Sequence, residues 1–217
     1  MSSPIPYRYI AIEGNIGAGK TSLAKILSAK FNSRLVLEEF AENTFLPQFY
    51  EQPERFAFPL EMSFLAERYQ QLMTAQKLAK ENNQLLISDY IFDKSMIFAS
   101  VNLRDSELSL FRKFFEMLSP ILQKPDLIIF LEKSTATLQK NIGLRGRSYE
   151  QHIPNQYLEG ITRQYEAFLK GRKDTCILGI KSDSLDFVND HQHLQLLLRN
   201  IVTPVEKGFH SIDPLES

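Results

Sequence analysis

The sequence predicts an α/β fold, a doubly wound parallel sheet of five strands flanked by helices. Three observations predict it. Short apolar runs alternate with longer stretches of helical spacing along most of the chain, the pattern of β-α-β units. The run at 126–131 is apolar from Leu127 to Leu131, as a strand covered on both faces requires. The first run leads straight into a glycine-rich loop and then a helix.

The elements follow in order. Residues 7–13 form the first strand and residues 20–31 the first helix. A second strand at 34–37 ends in Glu38 and Glu39. From 53 to 81 the spacing is helical, with Phe58, Met62, Leu65, Tyr69, Leu72 and Ala75 on one stripe. The third strand, 84–88, ends in Asp89. Two helices follow, broken near 102–106 and stopped by Pro120. The fourth strand is the run ending at Leu131. A helix at 134–144 runs into a charged glycine-arginine segment, and another spans 155–170. The fifth strand is 175–180, and a last helix covers 186–202. No repeat or low-complexity linker divides the chain, so residues 1–203 are expected to form one domain. Residues 204–217, polar and holding Pro204 and Pro214, are expected to be a loose tail.

Composition excludes several classes. Of 217 residues, 43% are hydrophobic and 24% charged, which rules out disordered, collagen-like and coiled-coil chains. The 25 basic and 26 acidic residues leave a net charge of −1, so the basic footprint needed for polymeric nucleic acid is missing. No apolar run approaches the roughly 18 residues of a membrane span, and no apolar leader is visible. Cys176 is the only cysteine, which excludes an internal disulfide framework and favours a reducing, cytoplasmic setting. Its Cys-Ile-Leu context reads as a buried, inert thiol. The four histidines have no metal-ligand spacing with a cysteine, and His191 and His193 decorate a helix start. Phe111, Phe114 and Phe115 read as core or as a dimer surface.

The strongest motif is GNIGAGKTS at 14–22, which fits G-x-x-x-x-G-K-[ST] through Gly14, Gly19, Lys20 and Thr21. The backbone of Gly14, Asn15, Ile16, Gly17, Ala18 and Gly19 can curl so that its N–H groups face phosphate oxygens. The helix that begins beside Ser22 aims its positive end at the same place. Lys20 would reach the β and γ phosphates, and the Thr21 hydroxyl would ligate Mg²⁺. A glycine-rich turn with a chance lysine is the bland alternative; a strand before and a helix after weigh against it. The motif predicts a P-loop NTPase-type sheet that binds ATP with Mg²⁺. Gln123 to Asp126 lacks the Asn of a guanine-reading N-K-x-D motif and precedes its strand. No protein-kinase G-x-G-x-x-G or H-R-D set is present.

Ligands of such sheets gather outside the carboxyl ends of the strands, where Glu38, Glu39 and Asp89 stand. An acid after an apolar strand is where Mg²⁺ is held, which selects Asp89, and another carboxylate could take the proton of an attacking hydroxyl. Each could instead be a solvated loop acid or a helix cap. Further on, Arg145 and Arg147 flank Gly146 in a segment at 144–154 that can form a lid. Their guanidinium groups could clamp a transferring phosphoryl group or simply decorate a basic helix end.

Three segments then agree in order and spacing: FYEQPERFAF at 49–58, IFAS at 97–100 and RGRSYEQHIPNQYLE at 145–159. With the phosphate loop, they make the chain similar over nearly its whole length to the deoxyribonucleoside kinase family. The bacterial purine deoxynucleoside kinases are its nearest likeness. The resemblance implies phosphorylation of a deoxynucleoside 5′-hydroxyl by ATP, and a homodimer formed through helices. It puts Glu38 on the base for the 5′-hydroxyl, with Glu39 as the alternative one position on. Tyr50 falls on the sugar-binding tyrosine and Glu150 on its acidic partner. Glu61 falls where a glutamine reads the nucleobase, with Arg68 beside it, and Arg145 and Arg147 match the lid arginines. Leu185, Asp186 and Phe187 fall on the ATP adenine loop.

Two departures carry chemistry. Where the family has E-R-S, the chain reads Ser88-Asp89-Tyr90; the acid survives, the arginine does not, and Tyr90 stands nearby. The family's base-reading aspartate falls on Lys94, which could donate to a purine N7 or O6. A carboxylate at position 61 accepts hydrogen bonds and cannot donate, which suits a base whose amino group donates, adenine, guanine or cytosine, and not the carbonyl oxygen that thymine can present. On this reading purines are favoured and deoxycytidine remains possible, while Glu61 and Arg68 could alternatively form an ion pair away from substrate. Other readings are a thymidylate-kinase-like monophosphate kinase, with Arg55 and Arg68 on the second phosphate, or a nucleotide-binding regulator without activity.

Overall fold

The structure, a computed structural model, describes residues 5–38 and 43–216. Its strands are β1 (Tyr9–Gly14), β2 (Arg34–Val36), β3 (Leu86–Ser88), β4 (Leu127–Glu132), β5 (Cys176–Lys181) and β6 (Gly208–Ile212). Its helices are α1 (Lys20–Phe31), α2 (Phe45–Glu51), α3 (Pro53–Glu81), α4 (Lys94–Asn102), α5 (Asp105–Leu118), α6 (Thr135–Arg145), α7 (Asn155–Gly171) and α8 (His191–Val202). The strands form one parallel sheet in the order β2-β3-β1-β4-β5-β6.

Every side chain of β1 is buried, and successive residues serve opposite faces. Tyr9 and Ala11 join the core shared with α3, α4, α5 and α7. Ile10 and Ile12 join the core shared with α1, α6 and α8. The sheet therefore lies between two helical layers. Strand order reverses at β1, with β3 on one side and β4 on the other, and the crevice outside those strand ends is the expected ligand site.

The sheet has six strands where the sequence predicts five. Part of the expected loose tail is β6, which pairs with β5 through Ile177 opposite Phe209 and Ile180 opposite Ile212. The segment reads as polar because it is an edge strand with partly exposed side chains. Gly179 makes room for it, since a Cβ there would lie 2.7 Å from Phe209 Cζ.

Two helix boundaries also differ. Helix α2 is absent from the sequence reading, being only seven residues long with Pro47 in its first turn. Helix α8 begins at His191, capped by the Asp190 carboxylate accepting from the N–H groups of Gln192 and His193. Asp186 lies before it in a loop, where its carboxylate accepts from the N–H groups of Val188 and Asn189.

Candidate active site

The phosphate loop joins β1 to α1 as predicted. Gly17 and Gly19 adopt φ of 82° and 98°, a left-handed backbone that residues with a Cβ rarely take. At Gly17 a Cβ would also lie 2.8 Å from the Leu138 carbonyl oxygen. The loop is braced from both helical layers. Asn141 Nδ2 donates to the Gly17 carbonyl at 2.8 Å. Asn15 Nδ2 donates to Leu158 O and Thr162 Oγ1, each at 2.8 Å. The Asn15 side chain thus anchors the loop to α7, leaving only its backbone for phosphate. Gly19 caps α1 without any side-chain hydrogen bond, so the first N–H groups of the helix stay open to an anion.

Lys20 Nζ donates to the carbonyls of Gly14 and Asn15, both at 2.9 Å. Burial, then repulsion from Lys94, lowers its pKa to about 8, a strain that phosphate would relieve. Thr21 Oγ1 donates to Asp89 Oδ2 at 2.6 Å, and Asp89 Oδ1 accepts from the Glu38 N–H at 2.8 Å. A hydroxyl and a carboxylate thus converge at the mouth of the loop. These hard oxygen donors fit Mg²⁺ bound alongside phosphate. A cavity of about 810 Å³ opens here between the loop, α6 and the segment holding Asp186 and Phe187. Phe187 is buried against Gly19.

Beneath α3, Glu38 lies between two cations. Arg68 Nε and Nη2 reach its Oε1 at 2.7 and 2.6 Å, and Lys94 Nζ bonds Oε2. All three are buried. Burial alone would raise the Glu38 pKa, but Lys94 and Arg68 outweigh it and hold the carboxyl at about 2. Arg68 also donates to Ser95 Oγ at 2.9 Å. Glu39, the alternative base, lies outside the described residues.

A narrow slot of about 50 Å³ connects Arg68 and Lys94, the two partners of Glu38, with Lys20, Tyr50, Glu61, Tyr157 and the lid. Glu61 is buried, and its Oε1 accepts from Asn102 Nδ2 at 2.6 Å. Burial raises its pKa to about 7. The lid arginines close the slot by pairing with Glu150: Arg145 with Oε2, and Arg147 with Oε1 at 3.1 Å. Tyr149 of the lid stacks on Tyr50 with ring centres 6.1 Å apart.

Three sequence expectations are corrected here. Lys94, expected to donate to a base, is bonded to Glu38 instead, while it lines the same slot as Glu61: it opens α4, and helical side chains lean towards the N-terminus. Tyr90 is fully buried outside the slot, and its hydroxyl donates to Gln71 Oε1 at 2.7 Å. Arg68 pairs with Glu38, so the suggested Glu61–Arg68 ion pair is replaced by the Glu61–Asn102 hydrogen bond. The sequence reading also missed Glu13, which is buried and accepts from Ile91 N, Gly14 N and the Tyr165 hydroxyl. An acid inside the otherwise apolar β1 was its only sequence signal.

The deoxynucleoside kinase family model matches residues 10–206. The chain belongs to this family. It is 38% identical to a deoxyguanosine kinase of Bacillus subtilis (strain 168), over 83% of this chain and 89% of that one. It is 32% identical to a deoxyadenosine kinase of Dictyostelium discoideum, over 87% and 77% respectively. A deoxyadenosine kinase from M. mycoides, solved with bound dATP, superposes with a TM-score of 0.76 at 25% identity, covering 90% of this chain and 100% of that one. These likenesses agree with the P-loop fold and with a kinase that phosphorylates nucleosides with ATP.

Proposed function

We propose that the protein transfers the γ-phosphoryl group of ATP to the 5′-hydroxyl of a purine deoxyribonucleoside, with Mg²⁺, in nucleotide salvage. The observation that carries this reading is the buried carboxylate of Glu38, fixed by Arg68 and Lys94, which themselves line the slot that also reaches Lys20. An acceptor hydroxyl there lies between a carboxylate and the phosphate loop. The relatives named for deoxyguanosine and deoxyadenosine support a purine substrate.

The residues divide the work as follows. The loop N–H groups and Lys20 bind the ATP phosphates, and Asp186 and Phe187 border the adenine end. Glu38 accepts the hydrogen bond of the 5′-hydroxyl and aims its oxygen in line with the γ-phosphorus. With its basicity lowered by two cations, Glu38 orients first and takes the proton late, as a loose phosphoryl transition state permits. Thr21 and Asp89 would hold Mg²⁺, which would supply neutralisation of charge on the phosphates. Tyr50 and Glu150 meet the sugar, and Arg145 and Arg147 turn from Glu150 to the transferring group. A slot of about 50 Å³ is too small for a nucleoside, whose sites commonly measure about 300 Å³ or more. The lid and Tyr50 therefore separate to admit substrate, and reclosure excludes water.

The monophosphate-kinase reading needs cations for a second phosphate. Arg68 is committed to Glu38, and Arg55 is exposed and stacked over Phe56. Incubation with ATP, Mg²⁺ and each deoxynucleoside or its monophosphate separates the readings. Purine monophosphates should form from nucleosides. Products from monophosphates alone would indicate the monophosphate kinase, and no turnover the inactive regulator.

A homodimer in the cytoplasm is part of the same proposal. Leu110, Phe114, Met117 and Ile121 repeat at helical spacing on α5 and just beyond it, all at least 39% exposed. An apolar stripe of this kind suits a second copy. The measured mass in solution should be twice that of the chain. No helix of the described residues is long and apolar enough to cross a membrane.

A further inference from the structure

Among the described residues, three buried side-chain polar atoms lack a hydrogen-bond partner: Ser33 Oγ, Arg34 Nε and Glu61 Oε2. The first two flank the start of β2. Only Glu61 lines the slot beneath α3. Leaving such an atom unpaired is costly, so the orphaned oxygen marks a place where a ligand hydrogen-bonding group fits. Around it stand Phe49, Phe64, Phe98 and Tyr157, aromatic walls suited to a flat ring.

Asn102 fixes the roles of the two Glu61 oxygens. Because its amide donates to Oε1, the proton of a neutral Glu61 sits on the unpaired Oε2. Ionised Glu61 therefore presents two acceptors. Neutral Glu61 presents a donor at Oε2 beside an acceptor at Oε1.

We propose that Glu61 discriminates between purines through its proton, the carboxylate taking guanine and the neutral acid taking adenine. This rests on the nucleoside-kinase reading above and deepens it. Guanine offers adjacent donors, N1–H and the 2-amino group, which match two acceptors. Adenine offers the N1 acceptor beside the 6-amino donor, which match the neutral carboxyl. Cytosine, with N3 beside its 4-amino group, has the adenine pattern.

The surroundings leave both states accessible near neutrality. Burial raises the Glu61 pKa, as does Glu38 beyond β2, while Arg68 on α3 and Lys94 on α4 lower it. Tyr157 on α7 also faces Glu61, and burial keeps it protonated. Burial does the same for Tyr50 on α2. The cations Arg68 and Lys94 are matched chiefly to Glu38, and Arg145 to Glu150. Lys20 remains with the phosphate loop.

Two measurements test the proposal. The first is kcat/KM for deoxyguanosine and deoxyadenosine between pH 6 and 8. Where each base binds only its own protonation state, the guanine-to-adenine ratio should rise about tenfold per pH unit. Deoxycytidine should follow deoxyadenosine, and Glu61→Gln should favour adenine at every pH. The second is calorimetry of nucleoside binding without ATP, near pH 7 in two buffers of different ionisation heat. Deoxyadenosine should take up about half a proton and deoxyguanosine release about half, for a group titrating near 7. A ratio independent of pH, equal proton counts for the two purines, or a pH dependence that survives in Glu61→Gln overturns the proposal. Binding with the expected proton counts but without product would support it while contradicting the kinase reading.

Discussion

Lys94 is bonded to the Glu38 carboxylate from the first turn of α4, on the opposite side from Arg68. Oε1 takes both Arg68 contacts and Oε2 that of Lys94, so the clamp fixes the carboxylate while Oε2 keeps a lone pair. Lys94 supplies the second cation of this clamp. Lys94→Met should lower kcat about tenfold or more, with KM less affected, and Lys94→Arg should restore part of it. Removing one partner of a buried ion pair costs about 3–5 kcal/mol, so urea unfolding should show the loss in Lys94→Met. Unchanged kcat in that variant would contradict a role for the clamp in orienting the hydroxyl.

Thr21 and Asp89 offer the hard oxygens at the loop mouth. Asp89→Asn should raise the Mg²⁺ concentration needed for half-maximal rate and lower kcat by about 10-fold or more. Asp89 also accepts the Glu38 N–H, so the variant reports on both. Titrating Mg²⁺ at saturating ATP separates the effects: restored activity at high Mg²⁺ identifies the metal, and persistent loss identifies the misplaced Glu38.

The lid arginines are held by Glu150 over the narrow slot. Arg145→Ala and Arg147→Ala should each lower kcat, by about 10²-fold for the one that reaches the transition state. Nucleoside KM should change less. Equal losses in KM and unchanged kcat would mean that the arginines hold the lid shut without touching the transferring group.

At the far edge of the sheet, Gly179 and Phe209 are mutually dependent. Gly179→Ala should destabilise the fold by about 1–3 kcal/mol, the usual cost of overpacking, through displacement of Phe209 and β6. Thermal unfolding measures it. Phe209→Ala should relieve part of that cost by removing the ring, the rest coming from the Glu132 carboxylate that also meets the added Cβ. An additive double variant would contradict this dependence.

The parts legible in the sequence were those written contiguously. The phosphate loop is nine consecutive residues between a strand and a helix, and its geometry follows from glycines and one lysine. Strands β1 and β4, covered on both faces, announce themselves as apolar runs. The Glu38–Arg68–Lys94 clamp is assembled from three elements, and counting from a motif put Lys94 one function away. Its true direction depends on the lean of a helical side chain, which spacing does not carry. Tyr90 misled because a tyrosine beside a catalytic acid reads as a ligand, whereas its hydroxyl is satisfied by Gln71. Strand β6 was hidden because an edge strand needs little apolar character, its pairing coming from backbone and from the space at Gly179.

The most direct test of the proposed function compares deoxyguanosine phosphorylation by the native protein with that by Glu38→Gln and Glu39→Gln. The result expected is a fall in kcat of about 10²-fold or more for Glu38→Gln, with KM within a few-fold, and near-native kinetics for Glu39→Gln. Full activity in Glu38→Gln, or the loss appearing in Glu39→Gln instead, would contradict the assignment of Glu38 as the carboxylate that receives the 5′-hydroxyl.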